Sequence, residues 1–314
     1  MPSRTSFIYH PDALLHNTGP GHPERRERLE TMVAHLMTTD LWQKLDHARP
    51  EEAKIDDLTL AHAKHYVEWV QKSIAEGETL LNEGDTRVCR ESWRAALLGV
   101  GSVLQGVEVA CGKEKRNVFC AVRPPGHHAM TSRAMGFCLF NNIAIGARTA
   151  QKKHGVERVA IVDWDVHHGN GTQEIFWHDP TVLYVSLHQY PLWPGTGSAS
   201  EVGEGPGTGF TVNCPMAPGS GEKEYAAAFR DTIIPALKKF GPQLLMISAG
   251  FDAHKSDPLA NINLDSTTFA MLTRMLRDAV ATSTTCGVVS VLEGGYDMHA
   301  LAESVEQHVS QLIV

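Results

Sequence analysis

Five short runs of almost unbroken apolar residues constrain this chain most: NVFCAV (117–122), RVAIVDWD (158–165), TVLYVSLH (181–188), QLLMISAG (243–250) and CGVVSVLEGG (286–295). They are rich in β-branched residues and do not alternate polar with apolar, which is the pattern of parallel strands covered on both faces. Between them lie segments with helical spacing: SWRAALLGVGSVLQGVEVA (92–110), NNIAIGARTAQKKHG (141–155), EKEYAAAFRDTIIPALKKFG (222–241) and DSTTFAMLTRMLRDAVA (265–281). Gly155 supplies a helix stop, Pro235 is expected to kink or split the third helix, and Asp265 and Ser266 are cap-type residues. The order strand, helix, strand predicts an α/β fold: a central, mostly parallel β-sheet with helices on both faces. No internal repeat or low-complexity linker interrupts it, so a single domain over residues 1–314 is expected.

Composition narrows the partners. With 42% hydrophobic and 20% charged residues the chain can bury a full core. A formal charge of -8 gives no basic footprint, so direct nucleic-acid binding is not expected. The cysteines, at 89, 111, 120, 138, 214 and 286, form no C-x-x-C pair; a reducing, cytoplasmic setting fits better than a disulfide framework. The N-terminal MPSRTSFIYHPD lacks an apolar signal core, and no run of about 18 apolar residues suggests a membrane span.

The polar clusters follow the strands directly. RPPGHHA follows 117–122, DVHHGN follows 158–164, FDAHKSDP follows 243–250 and EGGY follows the strand within 286–295. In open parallel sheets ligands bind outside the carboxyl ends of the strands, so four such clusters can converge. In IVDWDVHHGNGT, extended geometry puts Asp163, Asp165 and His167 on one face, with neighbours roughly 6.5–7 Å apart. Asp165 and His167 make a plausible half-site for a metal, and Asp252 in SAGFDAH is the best third ligand. Two carboxylates and one imidazole leave coordination positions free, as a catalytic metal requires. Such an oxygen-rich set accepts zinc or ferrous iron.

Adjacent His127 and His128, on a rigid Pro-Pro-Gly turn, suit a general base paired with a cationic partner. The two rings then need different neighbours: a carboxylate favours imidazolium and a neutral amide does so far less, and Asp163 and Asn170 offer one of each. Tyr296 in LEGGY could donate to a developing oxyanion from a glycine-flanked loop. His62 and His65 in AHAKHYVEWV lie away from any strand end and read as structural; GEGPGTG lacks the GK[ST] of a phosphate loop.

Taken in order, GHPERRERL, RPPGHHA, GFCLFNN, VDWDVHHGNGTQ, PGTG, GTGFTVN, SAGFDAHKSDPL and LEGGY resemble the zinc-dependent histone deacetylase family, in particular its class II branch with the bacterial deacetylase-like amidohydrolases. The resemblance runs from about residue 8 to the C-terminus, highly specific in its ordered motifs. It implies an arginase/deacetylase-like domain that removes acetyl or other acyl groups from lysine ε-amines in peptides or proteins. It implies Asp165, His167 and Asp252 as metal ligands, His128 as general base and acid, and His127 as the cationic partner backed by Asp163. Asn170 stands behind His128, and Tyr296 polarises the carbonyl. Gly136, Phe137 and Trp193 would line the acyl-lysine tunnel, with Leu259 as gatekeeper; a Trp where Phe is common bears on the acyl chain admitted. Structural potassium is implied at Asp163 and Ser186 with main-chain oxygens of Asp165, His167 and Leu187, and again near Phe176, Asp179, Val182 and Phe210.

Three rivals remain to weigh. A binuclear ureohydrolase would need carboxylates where Gly169 and Gly250 stand. An acetylpolyamine deacetylase would favour an acid at the gatekeeper, where this chain has Leu259, although Asp85 in NEGDT can sit at the rim. A non-catalytic acyl-lysine binder would not need every chemical position intact. The sequence leaves homo-oligomer formation open.

Overall fold

The computed structural model describes residues 5–82, 84–113 and 115–313. Its strands are β1 (Ser6–Ile8), β2 (Asp46–Ala48), β3 (Leu80–Leu81), β4 (Thr86–Arg87), β5 (Val118–Cys120), β6 (Val159–Asp163), β7 (Val182–Gln189), β8 (Thr211–Met216), β9 (Leu244–Ala249) and β10 (Val289–Leu292). Eight of them form one sheet in the order β2-β1-β5-β10-β9-β6-β7-β8, with every pairing parallel. β3 and β4 make a separate antiparallel hairpin. Every residue of β5, β6, β9 and β10 is buried, which is why these strands carry no polar alternation. Parallel neighbours need long crossovers: the connection from β6 to β7 carries helix Asn170–Phe176, and that from β9 to β10 carries helix Ser266–Val280.

The helices pack in two groups. Ser92–Cys111 lies against Asn142–His154 and β5, while Met298–Leu312 lies against Ser266–Val280 and Glu27–Met37. By length and composition alone Ser92–Cys111 could cross a membrane, a feature the search for long apolar runs passed over. Most of that helix is buried inside the fold, as a core helix is. The expected break at Pro235 takes the form of a change in helix type. Glu222–Ala228 is α-helical, Phe229–Ile233 is a π turn, and Ile234–Phe240 is α-helical again. The wider turn comes just where Pro235 cannot supply an N–H to the regular ladder. Asp265 takes the extended N-cap position but makes no cap bond, its carboxylate pairing with Lys255 instead.

For function the strand order matters most. β5, β10, β9 and β6 are consecutive in the sheet. Their carboxyl ends therefore bring 123–128, 293–296, 250–257 and 163–170 side by side, although the chain separates them widely.

Candidate active site

β6 ends at Asp163, and the chain runs on through Asp165 and His167 before helix Asn170–Phe176 begins. β9 ends at Ala249, and Asp252 follows in the next loop. The donor atoms of Asp165, His167 and Asp252 all lie within 4.8 Å of one another. His167 Nδ1 is 3.2 Å from Asp165 Oδ1 and 3.1 Å from Asp252 Oδ2. Backbone amides aim both carboxylates: Gly294 donates to Asp165 at 2.7 Å and Val166 to Asp252 at 2.8 Å. A Cβ on Gly294 would run into both carboxylates, so only glycine leaves this corner free.

The electrostatics of the corner call for a cation. Burial, then the neighbouring Asp165, push the Asp252 carboxyl above its ordinary range. Burial would raise Asp165 as well, but His127 and His167 hold it below the usual carboxylate range. Like charges this close in a buried site favour a bound positive ion. Two carboxylate oxygens and one imidazole nitrogen suit zinc or ferrous iron, so the residues present fit the metal that the sequence implies.

His127 and His128 lie side by side, ring centroids 3.9 Å apart, with different neighbours. His127 Nδ1 is 3.0 Å from Asp163 Oδ2, and His128 Nδ1 is 2.8 Å from Asn170 Oδ1. Burial alone would lower His127, but Asp163, Asp165 and Glu293 lift it to about 10. His128 is held well below its ordinary value by burial and by the charges of His127 and His167. The Asn170 oxygen can only accept, so neutral His128 carries its proton on Nδ1 and leaves Nε2 as a free base.

Tyr296 follows β10, half-buried, with its amide donating to Asp257 at 2.7 Å. Burial raises its hydroxyl well above the ordinary value; the Arg28 guanidinium, 5.0 Å over the ring, opposes this, and Asp252 and Asp165 add to it. Phe137 is 6.1 Å from Tyr296 and 4.7 Å from His22 by ring centroid. Trp193 stands edge-on to His128 at 4.7 Å and to His167 at 6.1 Å. Gly136 lies between His128 and Trp193, where a Cβ would strike both rings. Asp85 accepts from the Gly136 amide at 2.9 Å, so this carboxylate braces the wall. Leu259 is half-buried in the loop after Asp252, its amide on Asp257 at 3.0 Å.

Asp163 and Ser186 are partners across β6 and β7. Asp163 also accepts from the Tyr184 hydroxyl at 3.0 Å and the Asp165 amide at 3.1 Å, while Ser186 Oγ lies 2.9 Å from His188 Nδ1. Leu187 is buried beside them. Farther out, Phe176 and Phe210 carbonyls accept from Asp179 and Tyr184 amides. The Asp179 carboxylate is paired with Arg148, and Val182 is buried at the start of β7.

Sequence reasoning passed over several residues. Arg28 donates to the Gly295 and Glu293 carbonyls and so holds the loop that presents Tyr296. Glu24 takes bonds from Arg123 Nε at 2.7 Å and Arg28 at 3.2 Å. Glu293 accepts from the Gly126 and His127 amides at 2.7 and 3.2 Å, and burial pushes it up to about 7. All stand within quoted motifs, but their partners lie far along the chain. His62, read as structural, is buried and accepts from the Asn141 amide at 2.8 Å.

The pattern of the histone deacetylase domain matches residues 22–312. The chain is 39% identical over 299 residues to a probable deacetylase of Archaeoglobus fulgidus, covering 94% of this chain and 82% of that protein. It is 37% identical over 314 residues to a histone deacetylase-like amidohydrolase of Pseudomonas aeruginosa, covering 94% and 82%. The crystal structure of the HDA15 HD domain superposes with a TM-score of 0.93 at 36% identity, over 99% of this chain and 88% of that one. By domain, sequence and fold together, the chain belongs to the histone deacetylase family.

Proposed function

We propose that the protein is a metal-dependent deacylase that hydrolyses the ε-amide of acetylated, or otherwise acylated, lysine in peptides or proteins. One observation carries the reading: the Asp165, His167 and Asp252 donors cluster within 4.8 Å beside two histidines whose partners differ, a carboxylate for one and an amide for the other. Asp165, His167 and Asp252 would hold zinc, or ferrous iron. When bound, that ion supplies Lewis acidity toward the attacking water and the amide carbonyl.

The chain's own groups do the proton work. His128 Nε2 accepts a proton from water as the oxygen adds to the amide carbon. The Tyr296 hydroxyl donates to the oxyanion that forms, and the His127 imidazolium adds positive charge beside it. His128 then passes its proton to the departing nitrogen, the C–N bond breaks, and free amine and carboxylate leave. Gly136, Phe137 and Trp193 would flank the lysine stem, excluding water along it. The reading extends to potassium beside Asp163 and Ser186; replacing potassium with choline in the assay is expected to lower turnover.

The deciding assay compares kcat/KM for an acetyl-lysine peptide and an acetylated diamine on zinc-reconstituted protein. Preference for the peptide is expected, with Leu259 presenting no charge to a second amine and Asp85 engaged by Gly136. Preference for the diamine would move the protein to the polyamine branch. Tight peptide binding without turnover of any acyl length would make it a binder.

A further inference from the structure

His168 and the motifs PGTG and GTGFTVN take no part in the chemistry above, yet they converge on one loop. Residues 190–198 leave β7 and carry Trp193 to the catalytic histidines. Trp193 is 42% exposed, so its ring is packed on the side of His128 and Gly136 and open on the other. Hydrogen bonds hold the loop beyond it. Both Glu201 oxygens lie 3.0 Å from the Gly197 amide, and Oε1 also accepts from the Ser198 amide at 2.9 Å. Glu201 Oε2 accepts from Gln173 Nε2 at 2.6 Å.

Donor logic then fixes the rest. A carboxylate only accepts, so the Gln173 NH2 faces Glu201 and its Oε1 faces inward. That oxygen is 2.8 Å from Asn213 Nδ2 and 3.0 Å from His168 Nε2. His168 therefore donates from Nε2, and its Nδ1 accepts from the Thr196 hydroxyl at 2.7 Å. Gly197 is wedged between the His168 and His188 rings, whose centroids are 4.7 Å apart, and its carbonyl is 2.8 Å from His188 Nε2. Thr196, Gly197 and Ser198 are thus clasped to the segment that also carries His167. Beside the loop lies a groove of about 580 Å³ bordered by Met135, Asn170, Pro194, Thr196 and Glu201, into which a released loop can relax.

We propose that Glu201, acting through Gln173 and His168, is a positioning residue that fixes where Trp193 stands and so selects the length of acyl chain the site admits. What the wall selects rests on the deacylase reading; the clasp rests on its hydrogen bonds alone.

The test has two arms. In metal-free protein, Glu201→Ala is expected to speed amide hydrogen exchange in the peptide spanning 191–199 by at least about tenfold, leaving the Met298–Leu312 helix unchanged. In zinc-loaded protein, the ratio of kcat/KM for an octanoyl- over an acetyl-lysine peptide should change at least about tenfold, mainly through KM, the scale of a methylene's fit to a pocket. Glu201→Gln alone sets one NH2 against another. Adding Gln173→Glu gives that NH2 an acceptor again and leaves one oxygen at 201 for the Gly197 and Ser198 amides, losing only half of the forked Gly197 bond, so the double variant should recover most of the wild-type ratio. Unchanged loop exchange and chain-length preference in Glu201→Ala would overturn the proposal, as would faster exchange in all peptides alike or failure of the double variant to recover. A wild-type protein that hydrolyses neither substrate would sink the deacylase reading instead, and the exchange arm would still report on the clasp.

Discussion

Two buried charged clusters both bond the 293–295 loop and balance their charge in different ways. In the first, Glu24 lies between Arg123 and Arg28, with His16 Nε2 3.5 Å away. Burial would raise Glu24, but the arginines and His16 bring it down to about 2. Both signs come from within the chain, one carboxylate between two guanidinium groups, and the cluster acts as a brace: Arg123 also bonds the Ala13 and His16 carbonyls, and Arg28 the Glu293 and Gly295 carbonyls. In the second, Asp165 and Asp252 crowd around His167, and Asp252 is pushed up by burial and by Asp165. Burial would lower His167, but Asp165 and Asp252 lift it to about 10, so without a metal a proton on His167 balances them. The first cluster holds permanent guanidinium cations; the second holds a proton that a metal ion can replace.

The sharpest way to break that contrast is to remove one carboxylate from each cluster in metal-free protein. Glu24→Gln strands two buried guanidinium groups and should cost about 3–5 kcal/mol of unfolding free energy. Asp252→Asn still leaves Asp165 to pair with His167, so it should lower the urea midpoint far less. A loss in Asp252→Asn equal to that in Glu24→Gln would erase the distinction.

Next in size are the reacting groups. His128→Ala and Tyr296→Phe should each lower kcat by at least about 10²-fold, about 2.7 kcal/mol, with little change in melting temperature. Near-wild-type turnover in either variant would remove that residue from the mechanism. Chelation should then destabilise wild-type protein by about 2–3 kcal/mol relative to zinc at a hundredfold excess over Kd, and Asp252→Asn by far less. Differential scanning calorimetry with and without chelator reads this difference.

The smallest effect is the pH response of the brace. Burial lowers His16 from 6.5 to about 4, despite Glu24. The folded state thus binds fewer protons than the unfolded chain below pH 6.5, so stability is full above that pH and erodes as pH falls toward 4. Glu24, depressed from 4.5 to about 2, adds a second loss below pH 4.5. Burial lowers His62, His168, His188 and His308 too, so the His16 share, about 1 kcal/mol per pH unit below 6.5, is read as the difference in slope between wild type and His16→Gln in urea melts; equal slopes would contradict a neutral buried His16.

What could be read in advance follows from the physics of each part. β5, β6, β9 and β10 were legible because burial on both faces leaves β-branched runs with no polar alternation. β1 and β2 are as short as β5 but run at once into polar residues, in SFIYHPD and LDHARP, where β5 sits in the longer apolar run VFCAV, and they passed unread. The residues that cluster at the strand ends were legible because each strand delivers a compact polar motif. Arg123 and Glu24 were not, since nothing local says that a guanidinium will meet a carboxylate 99 residues away. Glu201 was hidden for the same reason: its meaning lies in Gln173 and in two backbone amides, visible only once the loop is folded.

The place of β10 has a consequence for how the protein comes into being. Of the described strands, the one latest in sequence fills the middle of the sheet, between β5 and β9, and brings Gly294 and Tyr296 with it. Without β10, β5 and β9 have no partner between them, and Asp165 lacks the Gly294 amide that aims it. Synthesis runs from the N-terminus, so the corner formed by Asp165, His167 and Asp252 is complete only once residues 289–296, made after all three, have joined the sheet.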